Sequence, residues 1–272
     1  MYFLSKFFMK CPLNNDPLTQ IFVSVFVSVA LSLSGVYFLF EKNTNSQISD
    51  TEFEQKVEAG IMKFIAKQEQ DQQKQMEEQN KQVEEKASLA RVPSSEYDYF
   101  KGKEDAKITI IEYSDYECPY CKRHHSTLQE VLAKYENDVN WVYRHFPLEF
   151  HNPNATDQAV AAECVGKISG AEAFWKFSDE VYARTESNLG FPKENILPLA
   201  KEIGVDEAMF SACFDAQETL SLVEEDIAEV QAMGVQGAPA NFIRNNETGE
   251  MAFIGGAYPL SEFEKKIDAF LQ

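Results

Sequence analysis

Cys118-Pro119-Tyr120-Cys121 sits where a strand-like run gives way to a helix-like one, and that junction constrains the fold more than any other part of the chain. Residues 107–114 (KITIIEYS) are rich in β-branched side chains, and from Lys122 onward (KRHHSTLQEVLAKYE) apolar residues recur at helical spacing. The cysteines are thereby placed at a helix N-terminus. Pro119 suits the first turn, because it lacks only an N–H that would have no intrahelical partner. Free first-turn N–H groups and the positive end of the helix dipole stabilise an anion, so a Cys118 thiolate is favoured over the thiol. A stabilised thiolate leaves readily, which speeds breakage of any disulfide made through Cys118 and makes the oxidised pair a stronger oxidant. Cys121, one turn further in, is expected to be more buried and to act as the resolving thiol. Zinc is the rival reading of such a pair, but it requires a second ligand pair at matching spacing, and Cys164 and Cys213 stand alone. No metal and no cofactor are expected.

The 272 residues carry a formal charge of -19, which argues against nucleic acid as a partner, since that needs clustered Lys and Arg. Residues 21–40 (IFVSVFVSVALSLSGVYFLF) contain no charge and are about long enough to cross a hydrocarbon core of roughly 30 Å. The apolar run exceeds the roughly 7 to 15 residues of a cleavable leader, and no A-x-A-like site follows it closely, so it reads as a signal anchor. Lys6 and Lys10 before the span, against Lys42 after it, place residues 1–20 in the cytoplasm and the cysteine pair outside, where disulfides persist. Cys11 would then lie on the reducing side.

Residues 41–91 read as a polar helical stalk. Phe53, Val57, Ile61, Phe64 and Ile65 recur at three- and four-residue intervals and mark an amphipathic helix with an apolar stripe. Beyond Gln68 only Met76 and Val83 remain as spaced apolar positions, so that part reads as a solvated helix or spacer. The stripe either pairs between protomers or belongs to a helix that lies on the chain's own catalytic domain or merely lifts that domain from the membrane.

Residues 92–272 form that domain. Residues 139–147 (VNWVYRHFP) alternate like a second strand, which makes a β-α-β unit and hence a parallel pair. A helical region at about 152–235 follows, then short strands at 241–244 and 251–254 around the turn NNETGE, and a closing helix at 260–271. The order is that of an α/β thioredoxin fold carrying an inserted all-helical domain, here preceded by a transmembrane helix and a stalk.

Four segments together, ITIIEYSDYECPYCKRHH, VYRHFPLEFHNPNATDQAVAAEC, GVQGAPANFI and IGGAYPLSEFEKKI, resemble the DsbA-like family of thiol-disulfide oxidoreductases. The resemblance implies an extracytoplasmic site in which Cys118 is the attacking or attacked sulfur. It also implies that Pro239 is a cis-proline facing the cysteines, a reading that Gly237-Ala238-Pro239 ahead of a short strand also supports. The Ala238 backbone would there pair with an extended substrate as an added strand, with Pro119 and Tyr120 also meeting substrate. Many relatives carry Thr at the position of Ala238, so a side-chain contact from that position does not carry over. Glu112, six residues before Cys118, matches the family's buried acid. Alternation puts it on the face of Ile108 and Ile110 of a strand covered on both sides, so its carboxyl is desolvated and its pKa raised, fitting it to exchange a proton with Cys121.

Around the pair, Lys122, Arg123, His124 and His125 favour the thiolate, while Asp115 and Glu117 oppose it. The first two read as a solvated helix face, and the histidines as packing or capping residues. Cys164 and Cys213 fall on segments of the insert that can be antiparallel neighbours. A disulfide there, closing a loop of about 50 residues, would contribute roughly 4 kcal/mol on the chain-entropy model; otherwise both are buried thiols.

The expected function is that of a bacterial inner-membrane, single-pass oxidoreductase with its catalytic domain in the periplasm. It would form disulfides in thiol-containing exported proteins and be reoxidised by a DsbB-like or quinone-linked partner. The stretch DTEFEQKVEAGIMKFIAKQEQ loosely resembles the stalks of the ScsC group, which would make the chain an oligomeric isomerase or reductase served by a DsbD-like reductant. A third reading is a DsbA-like envelope protein without turnover.

Overall fold

The computed structural model describes residues 49–272, so the expected anchor at 21–40, the N-terminal residues 1–20 and Cys11 lie outside the described residues. Among the described residues, no helix is long and apolar enough to cross a membrane. The chain divides into Met1–Gln70 and Asp71–Gln272, and the division falls inside the first described helix, α1 (Asp50–Glu85).

Glu, Gln and Lys make up most of α1 and propagate a helix well, and Gly60 is its single glycine. In its first half Ile61, Phe64 and Ile65 are solvent-exposed. Its C-terminal end differs from the expected solvated spacer. Val83, near the end of α1, and Ala87 and Ala90, which open and cap the 3-10 turn that follows it, are buried against Ile111, Tyr113, Val142, Phe242 and Phe253. Two of the three are alanines, too small to register as an apolar stripe yet well shaped to lie flat on a sheet.

That sheet has five strands in the order β1-β3-β2-β4-β5. Its centre is β2 (Ile108–Ser114), parallel to β3 (Val139–His145) and antiparallel to β4 (Ala240–Asn245), with β5 (Met251–Gly255) beyond β4. β1 (Phe100–Lys101) pairs with Trp141 and Val142 of β3, and its two residues are too few to show an alternation in sequence. All seven residues of β2 are buried, as are all seven of β3. Ile108 and Ile110 face one core with α2 (Pro119–Lys134) and the closing helix α7 (Leu260–Phe270), represented there by Leu128, Phe263 and Ile267. Ile111 and Tyr113 face the second core, with the end of α1.

Between β3 and β4 lie α3 (Asn154–Arg184), α4 (Ile196–Glu202), α5 (Glu207–Asp215) and α6 (Leu220–Ala232). Gly170, at φ 82°, breaks α3 into two helical segments, a conformation open to glycine at little cost. The Asp206 carboxylate caps α5 by accepting the Met209 N–H at 2.8 Å. Cys164 of α3 and Cys213 of α5 are joined by a disulfide, with their Cα atoms 6.0 Å apart.

The insert is also tied to the sheet by charge. Arg144 of β3, 1 % exposed, donates to Asp98 at 3.0 Å and to Glu229 of α6 at 2.7 Å. Glu229 in turn accepts from Arg91 at 2.9 Å. A buried guanidinium is tolerable only when its donors are matched in this way.

Candidate active site

The break between β2 and α2 positions the cysteines. Cys118 is the N-cap of α2, extended at φ -79° and ψ 123°, and Pro119 occupies the first turn. Cys118 is 4 % exposed and Cys121 wholly buried, whereas Pro119 and Tyr120 stand in solvent. Both sulfurs are thiols in this structure. The Cys118 Sγ lies 3.6 Å from the carbonyl oxygen of Ala238, which contacts it from the loop before β4. The Ala238–Pro239 peptide bond is cis, as is Asn152–Pro153. The six expected residues Cys118, Cys121, Pro119, Tyr120, Ala238 and Pro239 thus meet at one end of the sheet, and Glu112 lies on β2 facing the same core.

The two sulfurs are driven in opposite directions. A hydrogen bond from the Cys121 thiol pulls the Cys118 pKa down to about 6; burial opposes this, and the backbone N–H groups of Cys121 and Tyr120 assist it. Burial pushes Cys121 well above its ordinary value, and its bond to Cys118 and the nearby Glu112 push the same way. Glu112 is fully buried and neither of its carboxyl oxygens has a hydrogen-bond partner. Burial raises its pKa to about 8, only partly offset by the neighbouring Ser114 hydroxyl and Trp141 indole. At neutral pH this carboxyl therefore holds a proton beside a sulfur that needs one.

The acids flanking the pair are occupied elsewhere. Asp115 accepts from His151 Nδ1 at 2.7 Å and from the N–H groups of Leu148 and Glu117, each at 2.8 Å. Glu117 accepts the Gly190 N–H at 2.9 Å and the Phe191 N–H at 3.2 Å, and its own carbonyl accepts the Asn188 N–H at 2.8 Å. These contacts hold the segment Ser187, Asn188, Leu189, in which three successive residues other than glycine have positive φ. His151 is a site residue that sequence reasoning missed. Burial works against its charge, but Asp115 and Asn188 outweigh burial and raise its pKa.

His124 packs on Phe263 and bonds Asn241 at 2.9 Å, with burial lowering its pKa to about 4. His125 bonds Asp179 at 2.6 Å and lies against Trp141 and Tyr182. Both are packing residues. Lys122 donates to the Thr185 carbonyl rather than standing free, and Arg123 lies over the Tyr120 ring. Behind Cys121, Ser114 bonds the Tyr182 hydroxyl at 3.0 Å, and Tyr182 bonds Tyr143 at 2.9 Å. No local pattern announces this hydroxyl chain, because its members come from β2, β3 and α3.

A protein-family model described as Thioredoxin matches residues 94–268. The chain belongs to the thioredoxin family. Among solved structures it is similar to DsbA2 of Pseudomonas aeruginosa, 29% identical with a TM-score of 0.56, covering 66% of this chain and 96% of that one. It is likewise similar to BdbD of Bacillus subtilis, 25% identical at TM-score 0.56, covering 66% and 95%. BcfH of Salmonella enterica Typhimurium shares the fold at 16% identity and TM-score 0.63, covering 93% and 98%. The curated relatives it matches include the Na(+)/H(+) antiporter NhaA of Herminiimonas arsenicoxydans, 32% identical over 148 residues, which are 54% of this chain and 22% of that protein. The chain therefore spans about a fifth of those relatives, and ion transport does not carry over from so small a share. A thioredoxin-family chain of DsbA type with this cysteine pair is a thiol-disulfide oxidoreductase.

Two expectations follow. The alkylation rate of the reduced protein with iodoacetamide should titrate with a midpoint near pH 6, and Cys118→Ser should abolish that phase while Cys121 stays unreactive until far higher pH. The second concerns Glu112. Between an ordinary carboxyl pKa of 4.5 and the folded value of about 8, the native protein keeps a proton that the unfolded chain has released, so stability falls as pH rises through that window. Glu112→Gln removes this dependence. Its gain in Tm over the wild type should be larger at pH 8 than at pH 5, while thiol exchange slows by on the order of 10²-fold, the usual worth of a general acid/base.

Proposed function

We propose that the chain is a membrane-anchored, extracytoplasmic oxidase that introduces disulfides into exported proteins through Cys118 and Cys121. The observation that carries this reading is the asymmetry of the pair: one sulfur at the mouth of the site, favoured as thiolate, and one sealed beneath it beside a protonated acid. A client thiolate attacks the Cys118 sulfur of the enzyme disulfide, forming a mixed disulfide and expelling Cys121. The departing Cys121 sulfur takes the Glu112 proton, which solvent then replaces. A second client thiol, as thiolate, attacks the client sulfur of the mixed disulfide and expels Cys118, which leaves as thiolate without needing a proton at neutral pH. Two client thiols are oxidised to a disulfide, and the enzyme pair is left reduced as the Cys121 thiol and the Cys118 thiolate. A quinone-linked, DsbB-like membrane partner would return the pair to the disulfide.

Residues 21–40 supply the anchor in this reading, with residues 1–20 in the cytoplasm and the domain on the periplasmic side of a bacterial inner membrane. The backbone of the Ala238–Pro239 loop and the exposed faces of Pro119 and Tyr120 are where substrate would lie. The Cys164–Cys213 bridge suits the same oxidising compartment. Alkylation trapping in the native cell tests the direction of turnover: a pair found mostly oxidised supports an oxidase, and one found mostly reduced overturns it.

One observation favours a second reading. Ile61, Phe64 and Ile65 remain exposed along α1, an apolar stripe suited to pairing between protomers as in an oligomeric isomerase or reductase fed by a DsbD-like partner. If the stripe pairs, Ile61→Glu with Phe64→Glu converts an oligomer to a monomer by light scattering; a wild type that is already monomeric removes this reading.

A further inference from the structure

A groove of about 270 Å³ runs beside the Ala238–Pro239 loop. One wall is the C-terminal part of α1, through Met76, Gln79, Asn80 and Val83; the other is the loop 235–239 with Phe253 and the end of β5. The two walls approach closely because Gly255 lacks a side chain: a Cβ there would meet the Phe253 ring at 2.7 Å and the Asn80 Oδ1 at 3.1 Å. The Glu84 carboxylate also accepts the Phe253 N–H at 3.2 Å, fixing this turn of α1 on the outermost strand.

The lining has a definite chemistry. Met76, Val83, Val235 and Phe253 present carbon and sulfur, and Gln79 and Asn80 present neutral amides. Among the described residues that line it, none is ionisable, in a chain whose formal charge is -19. Small ligands ordinarily occupy clefts of roughly 300–1,000 Å³, so this groove matches side chains of a polypeptide better than a free metabolite.

We propose that residues 76–83 of α1 form one wall of the client-binding groove, which takes an extended, uncharged apolar segment next to the client's reactive cysteine. The inference rests on the oxidoreductase reading above and deepens it. The occupant follows from the exchange itself. A client in mixed disulfide is bonded to the Cys118 Sγ, which stands 3.6 Å from the Ala238 carbonyl oxygen. Because Ala238 both meets the Cys118 sulfur and lines the groove, the client chain on one side of its reactive cysteine runs, in this proposal, along the Gly237-Ala238-Pro239 strip, whose opposite border is α1. A charged client side chain would be desolvated there without a partner, whereas an apolar one gains contact with Met76, Val83 and Phe253. The helix is thus a selectivity element of the site as well as a connection to the rest of the chain.

The test uses the full-length oxidised protein and synthetic dithiol peptides that differ only in the three residues beside one cysteine: apolar, lysine-bearing or glutamate-bearing. Each rate is taken relative to that of dithiothreitol with the same preparation. The wild type should favour the apolar peptide over both charged ones by about 10-fold, the discrimination an apolar pocket can supply. Met76→Glu with Gln79→Glu should shift the preference toward the lysine peptide, and Asn80→Trp, which fills the groove, should slow all three peptides relative to dithiothreitol. Gln79→Glu alone, at an exposed position, gives the same comparison should the double variant not fold. Equal relative rates for the three peptides, or an unchanged preference in the variants, overturn the groove and leave the oxidoreductase reading standing. A wild type that oxidises dithiothreitol but no peptide overturns the reading of protein clients, and the groove with it.

Discussion

Burial of β2 on both faces is the constraint from which the site follows. None of its seven residues reaches solvent, so a carboxyl placed on it can neither contact water nor, in this packing, find a hydrogen bond. Alternation puts Glu112 and Ser114 under α2 and sends Ile111 and Tyr113 to the opposite core. The same cover that raises Glu112 also raises Cys121, which lies in the wholly buried part of α2. Cys118, one turn earlier, is at the helix end, where free N–H groups and the Cys121 thiol outweigh burial. A boundary in polarity therefore passes between two sulfurs on one helical turn.

A chain this acidic has to keep carboxylates from cancelling the thiolate it favours. Asp115 and Glu117 stand next to Cys118 in sequence and would both raise its pKa if left facing it. The fold engages both elsewhere, and the Asp115 charge that still raises the Cys118 pKa is outweighed by the Cys121 thiol. Asp115 is matched by His151 and two N–H groups, and Glu117 by the loop at 188–191. Holding that loop brings Ser187, Asn188 and Leu189 into positive φ, a conformation that costs energy for residues with a Cβ and that the buried Glu117 contacts sustain. On the other face of the sheet, Arg144 draws Asp98 and Glu229 into a buried pair of ion contacts remote from the sulfurs.

What could be read in the sequence was whatever local pattern encodes. KITIIEYS and VNWVYRHFP alternate or branch as strands do, and β2 and β3 lie within a residue or two of them. The α2 N-terminus was legible from neighbours a few residues away, whereas the cis-proline loop and the buried acid Glu112 came from the resemblance to the DsbA-like family, with the strand's period of two agreeing on the face of Glu112. The partners of Asp115 and Glu117 were not, since Leu148, His151, Gly190 and Phe191 arrive from elements more than 30 residues further along the chain. The hydroxyl chain Ser114–Tyr182–Tyr143 was hidden for the same reason. Lys122 read as solvated because its hydrogen bond to Thr185 spans 63 positions.

The least legible element was the end of α1. An amphipathic stripe is recognised by its large residues, and by that criterion the helix seemed to lose its apolar face after Ile65. Yet Val83, Ala87 and Ala90 are 3 %, 2 % and 7 % exposed, while the large Ile61 and Phe64 are 54 % and 62 % exposed. Size and burial run opposite to each other along this segment. Val83 and the small residues of the turn after the helix lie close on Phe242 and Phe253 and complete the second core, whereas the large ones stand out where another protein surface can cover them. Deleting the helix as a whole would remove Val83 from the core together with the stripe, so association and folding can be separated only by changing the exposed residues and leaving Val83, Ala87 and Ala90 in place.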